Sequence, residues 1–108
     1  MSDIQFKMLG YTFLTVSSSV VDFTDCDDSG VLIAKKGLRV VEFQVDPAGG
    51  NVRMTKDGST DPVGATTGVR LDAGDIVELT AVEARNAKFL YDDGATDGTL
   101  QCHFYGTD

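Results

Sequence analysis

Residues 53–79 read RMTKDGSTDPVGATTGVRLDAGDIVEL. Asp57-Gly58, Asp61-Pro62, Gly64, Gly68 and Asp72-Ala73-Gly74-Asp75 punctuate short apolar runs. Turn signals this frequent leave no length for a helix between them. Gly takes positive φ without steric cost, Asp bonds its own backbone, and Pro presets one turn dihedral. The stretch predicts strand-turn-strand architecture and carries no recognisable chemistry.

The same pattern continues on both sides. Upstream, Ile4, Phe6 and Met8 alternate with Gln5 and Lys7, a half-buried strand signature, and Tyr11, Phe13 and Val16 follow Gly10. Val20 to Phe23 predicts a short strand, then an acidic turn over Asp25-Cys26-Asp27-Asp28-Ser29-Gly30, then an apolar β-branched run from Val31 to Ala34. Leu38 to Val45 is the clearest strand: Val41, Phe43 and Val45 share one face, and Val40, Glu42 and Gln44 the other. After the Asp46-Pro47 turn, Val52 and Met54 begin what reads as its antiparallel return strand. Downstream, Val77, Leu79 and Ala81 share a side. Residues 80–90 contain good helix formers, but a loop around Ala84 to Asn86 is preferred, followed by a strand with Ala87, Phe89 and Tyr91 inward. In the final strand Leu100, Cys102 and Phe104 alternate against Gln101, His103 and Tyr105. Short strands, Gly-rich turns and few or no helices predict an all-β, single antiparallel β-sandwich or jelly-roll-like domain. It would span residues 1–108, with 1–16 as an N-terminal arm or edge strand.

A chain of 108 residues with 42% apolar content is long enough for one modest core. Its acids outnumber its bases 17 to 9, a formal charge of −8. Such a surface repels nucleic acid and anionic membrane, so neither is an expected partner. Fourteen of the acids are Asp, a turn residue, so the acidity reports turns as much as a partner. Cys26 and Cys102 are too few for a disulfide framework, and free buried thiols in a reducing cytoplasm are expected. Met1 to Lys7 lacks the form of a signal peptide, and no apolar run reaches transmembrane length.

The candidate chemistry is sparse. His103 is the only histidine, and its strand phase turns it away from Cys102, so a Cys-His dyad is not expected. Asp25, Asp27 and Asp28 imitate half a calcium loop, but Lys36 stands where the bidentate Glu belongs. Asp92, Asp93 and Asp97 read as a solvated turn. The glycines do not precede a Lys-Ser/Thr pair, so no phosphate cradle is expected. The residues thus predict no catalytic, metal or cofactor site.

One ordered set of phrases carries a resemblance. Val40-Val41-Glu42-Phe43-Gln44-Val45 leads to Asn51-Val52-Arg53-Met54, then Asp57-Gly58-Ser59-Thr60 and Pro62. Gly68 with Leu71-Asp72-Ala73-Gly74-Asp75 follows, then Asn86-Ala87-Lys88-Phe89-Leu90 and Gly98-Thr99-Leu100, ending at Phe104-Tyr105. The set resembles small virion proteins of tailed bacteriophages, of the capsid decoration (cement) type. The chain departs where such proteins usually end in two tyrosines, and its segment from Val82 to Arg85 is longer. The resemblance implies a non-enzymatic structural protein, made in the host cytoplasm and placed on the capsid exterior of the virion. It would bind the lattice of the major capsid protein and associate with itself, as a homotrimer in preference to a dimer. A terminal strand is a natural donor to a neighbour's sheet, which makes Ser2, Asp3, Ile4, Gln5, Phe6, Lys7 and Met8 the candidate interface, with pairing inside its own sandwich as the equal alternative. The alternative is a carbohydrate- or other ligand-binding module of a tail or fibre, with Tyr11, Tyr91 and Tyr105 as the platform.

Overall fold

The computed structural model describes residues 6–64, 66–92 and 96–107. Their strands are β1 (Lys7–Val16), β2 (Leu38–Val45), β3 (Val52–Thr55), β4 (Val69–Leu71), β5 (Ile76–Thr80), β6 (Lys88–Tyr91) and β7 (Gly98–Gly106). A short helix, α1 (Ala81–Asn86), joins β5 to β6. The strands form two antiparallel sheets, a four-stranded one in the order β1-β7-β2-β5 and a three-stranded one in the order β4-β3-β6. They pack as an all-β sandwich.

Period-two alternation builds the interior. Leu14 and Val16 of β1, Val41, Phe43 and Val45 of β2, and Leu100, Cys102 and Phe104 of β7 all turn inward and are buried. Val52, Met54, Leu71 and Phe89 face them from the second sheet. Phe23 fills the space between the sheets, with ring centroids 6.0, 5.2 and 6.0 Å from Phe43, Phe89 and Phe104. These edge-on rings replace the tryptophan that the chain lacks.

Four local expectations are corrected. Val52 and Met54 do not return along β2, because β7 and β5 already occupy both of its edges. The turn after β2 instead bonds to the approach of β7, through Asp46 N to Thr99 O at 2.8 Å and Gly50 N to Asp97 O at 2.9 Å, and the chain crosses to the second sheet. In the expected strand from Val20 to Phe23, only Val21 pairs, with Phe89. Asp22 then caps a 3-10 turn over Phe23–Asp25, accepting from Thr24 N while Asp25 accepts from Asp22 N. The apolar run from Val31 to Ala34 folds as turns, because the Asp28 carboxylate takes the Gly30 and Leu32 N–H groups at 3.0 and 2.9 Å. The preferred loop at Ala84 to Asn86 is the end of α1. Its start is a reciprocal capping box, in which Thr80 accepts from Glu83 N and Glu83 accepts from Thr80 N.

The opening stretch folds as its turns require. Gly68 has φ +104, and a Cβ there would lie 2.8 Å from Met54 O. Its carbonyl accepts from the Arg53 guanidinium at 2.9 Å, which ties β3 to the start of β4.

Candidate functional site

The outer face of the four-stranded sheet is built by the residues that alternate with the core. Strand register sets them in three rows. Met8, Tyr105, Val40 and Thr80 form one; Tyr11, His103, Glu42 and Glu78 the second; Phe13, Gln101, Gln44 and Ile76 the third. A half-solvated sheet ordinarily presents polar residues here. This one presents Tyr11 at 76% exposure, Ile76 at 66%, Met8 at 49% and Phe13 at 42%, with Phe6 beside them. His103 sits between Tyr11 and Tyr105, 6.4 Å from each ring and edge-on to both.

Two depressions mark the β5 side of this face. A groove of about 490 Å³ is lined by Phe6, Val40, Glu42, Glu78 and Tyr105. A second, of about 240 Å³, is lined by Glu42, Phe43, Gln44, Ile76, Gln101 and His103. Glu42 is the wall they share, and it lies directly opposite Glu78 across β2 and β5. Like charges in that position destabilise a sheet.

The three-stranded sheet has a different exterior. Arg53 and Arg70 are also a like-charged pair directly opposite each other. Here a carboxylate joins them: Asp92 Oδ1 lies 2.6 Å from Arg53 Nε, and Asp92 Oδ2 lies 3.6 Å from an Arg70 nitrogen. Asp92 is buried, which corrects the expectation of a solvated turn at that position. Arg70 also meets Asp72 at 2.8 Å, and Lys88 meets Asp61 at 2.9 Å. Lys56 reaches Glu83 at 3.3 Å. The Glu83 carboxyl is held below its ordinary pKa by the Thr80 N–H, with Lys56 adding to the effect.

The remaining sequence candidates fall in several places. Ser2, Asp3, Ile4 and Gln5 lie outside the described residues; Phe6, Lys7 and Met8 are exposed, and Lys7 and Met8 pair with Gly106 and Tyr105 of their own sheet. Of the three tyrosines, Tyr11 and Tyr105 share the outer face, whereas Tyr91 belongs to the other sheet. Cys102 is buried opposite in phase to His103, as the alternation predicts. Both thiols are free, and contact with Cys26, reinforced by burial, pushes the Cys102 thiol pKa up. In and around the acidic turn the Asp25 carboxylate accepts from Asp22 N and the Asp28 carboxylate from Gly30 N and Leu32 N, and among the described residues no group of three His, Cys, Asp or Glu is placed to hold a metal ion. Asp93 lies outside the described residues. Asp57 organises the turn after β3: hydrogen bonds from the Thr60 hydroxyl, the Thr60 N–H and the Ser59 N–H lower its pKa from 3.8 to about 2.

Among the described residues no helix is long and apolar enough to cross a membrane. Comparison with protein-family models, with curated proteins and with solved structures finds no match for this chain.

Proposed function

We propose that this protein is a non-enzymatic virion structural protein that decorates or cements a tailed-phage capsid, docking on the major capsid protein lattice through the outer face of its four-stranded sheet. The observation that carries this reading is the set of exposed apolar side chains on one sheet face: Phe6, Met8, Tyr11 and Phe13 along β1 and its approach, and Ile76 on β5. Isolated exposed apolar residues are ordinary, but several gathered along one strand of a sheet face and framed by polar groups mark a protein interaction surface. The ordered phrases that resemble decoration proteins supply the kind of assembly. The candidate interface segment ends on this face, since Phe6 and Met8 contribute to it. A docking protein that occupies many identical lattice sites tolerates weak single contacts, because self-association multiplies them. A homotrimer at local three-fold positions on the capsid exterior fits that requirement.

A second reading, carbohydrate binding, draws support from Tyr11 and Tyr105 on the same exposed face. Each tyrosine ring stands edge-on to His103, at 89° and 85°, so neither is coplanar with the imidazole between them.

The test is addition of purified protein to phage shells assembled without it. Sedimentation with the shells, a raised shell disruption temperature and imaged density at repeated lattice positions are expected. Failure to bind any matured shell would contradict the capsid reading, and glycan-array binding lost in Tyr11→Ala and Tyr105→Ala would favour the alternative.

A further inference from the structure

The two sheets solve the same electrostatic problem in different ways. On the three-stranded sheet, Arg53 faces Arg70 and Asp92 lies within reach of both, at 2.6 and 3.6 Å. On the four-stranded sheet, Glu42 faces Glu78, and no ion pair among the described residues reaches either carboxylate. The Arg39 guanidinium is turned back onto the Leu38 and Lys36 carbonyls, at 3.1 and 3.4 Å. The chain contains three glutamates, and two of them are placed opposite each other in strands, where Glu is disfavoured. A repulsive pair that lines a groove together with Phe6 and Tyr105 has the composition of a cation seat.

We infer that this groove receives an arginine side chain presented by the docked protein partner. The guanidinium would bridge the Glu42 and Glu78 carboxylates as Asp92 bridges the two arginines, while its plane lies against Tyr105 and Phe6. Arginine fits better than lysine, because a planar fork serves two carboxylates and an aromatic face at once. Charge complementarity sets the occupant: the chain carries −8, and two copies meeting face to face would bring four carboxylates together. The inference rests on the docking role of this face, and it specifies the chemistry of the surface that docks.

The test titrates the 15N-labelled protein with N-acetyl-arginine amide and, separately, with the uncharged isostere N-acetyl-citrulline amide. Saturable amide shifts centred on Val40, Glu42, Glu78 and Tyr105 are expected with arginine alone. In the Glu42→Gln/Glu78→Gln variant the affinity should fall by at least about tenfold, the loss of one charge-assisted hydrogen bond. Dispersion of the variant's spectrum reports its folding directly. Absence of the shifts, equal shifts with citrulline, or an unchanged affinity in the double variant would overturn the arginine seat. Sedimentation with shells separates this from the capsid reading. Arginine binding without shell binding removes the capsid alone, whereas shell binding that the double variant retains in full removes the arginine seat alone.

Discussion

The exteriors of the two sheets use charge for opposite ends. That of the three-stranded sheet is closed on itself: Arg53, Arg70, Lys88 and Lys56 each meet a carboxylate of the same chain. That of the four-stranded sheet carries Tyr11, Met8, Phe13 and Ile76 in the open around a carboxylate pair without a counterion among the described residues. A surface whose charges are internally matched has little left to offer a partner. On the proposed reading, the exterior that holds apolar area and unmatched carboxylates is the one that meets a partner. In that reading the three-stranded exterior contributes stability and the four-stranded one recognition.

Removing Asp92 should break the closed exterior most severely. Asp92→Ala leaves the largely buried Arg53 guanidinium without its carboxylate and should cost about 2–3 kcal/mol in urea unfolding, reduced from the fully buried case by the partial exposure of Arg70. Glu78→Gln acts in the other direction. It relieves the repulsion with Glu42 and should raise stability by about 0.2–1 kcal/mol while weakening partner binding. A loss of stability there would mean that Glu78 already has a stabilising role within the fold. Tyr11→Ser should change stability by no more than about 0.5 kcal/mol, because the ring is mostly in solvent, yet it should reduce docking.

The smallest effect belongs to acid. The Asp57 pKa is lowered from 3.8 to about 2, so its turn is supported above pH 3.8, and the support is lost as pH falls through about 2. Thermal melting of wild type and Asp57→Asn should therefore converge between those pH values and differ slightly above them.

Much of the closed interior was legible from alternation. Val41, Phe43 and Val45 in β2, and Leu100, Cys102 and Phe104 in β7, are buried as their phase requires. What escaped depended on signals between elements or on capping chemistry. The Thr80-x-x-Glu83 box was present in the sequence, but strand-rich surroundings obscured it, and α1 forms on that cap. The crossover after β2 followed from which edges β5 and β7 occupy, information that no local window contains. The candidate site was half legible: the phase put Glu42, His103 and Tyr105 outward, but only the register of β2 with β5 sets Glu42 against Glu78. Asp92 looked like one acid among many in a turn, because its partner Arg53 lies 39 residues away in sequence.

The contrast between the exteriors is tested most directly by sedimentation of two double variants with phage shells assembled without the protein. Tyr11→Ala/Tyr105→Ala alters the open face, and Arg70→Ala/Lys88→Ala alters the closed one. Retention of shell binding by the second variant and its loss in the first, with both folded, is the predicted result. Equal binding by both, or loss confined to the Arg70 and Lys88 variant, would contradict the assignment of recognition to the four-stranded sheet.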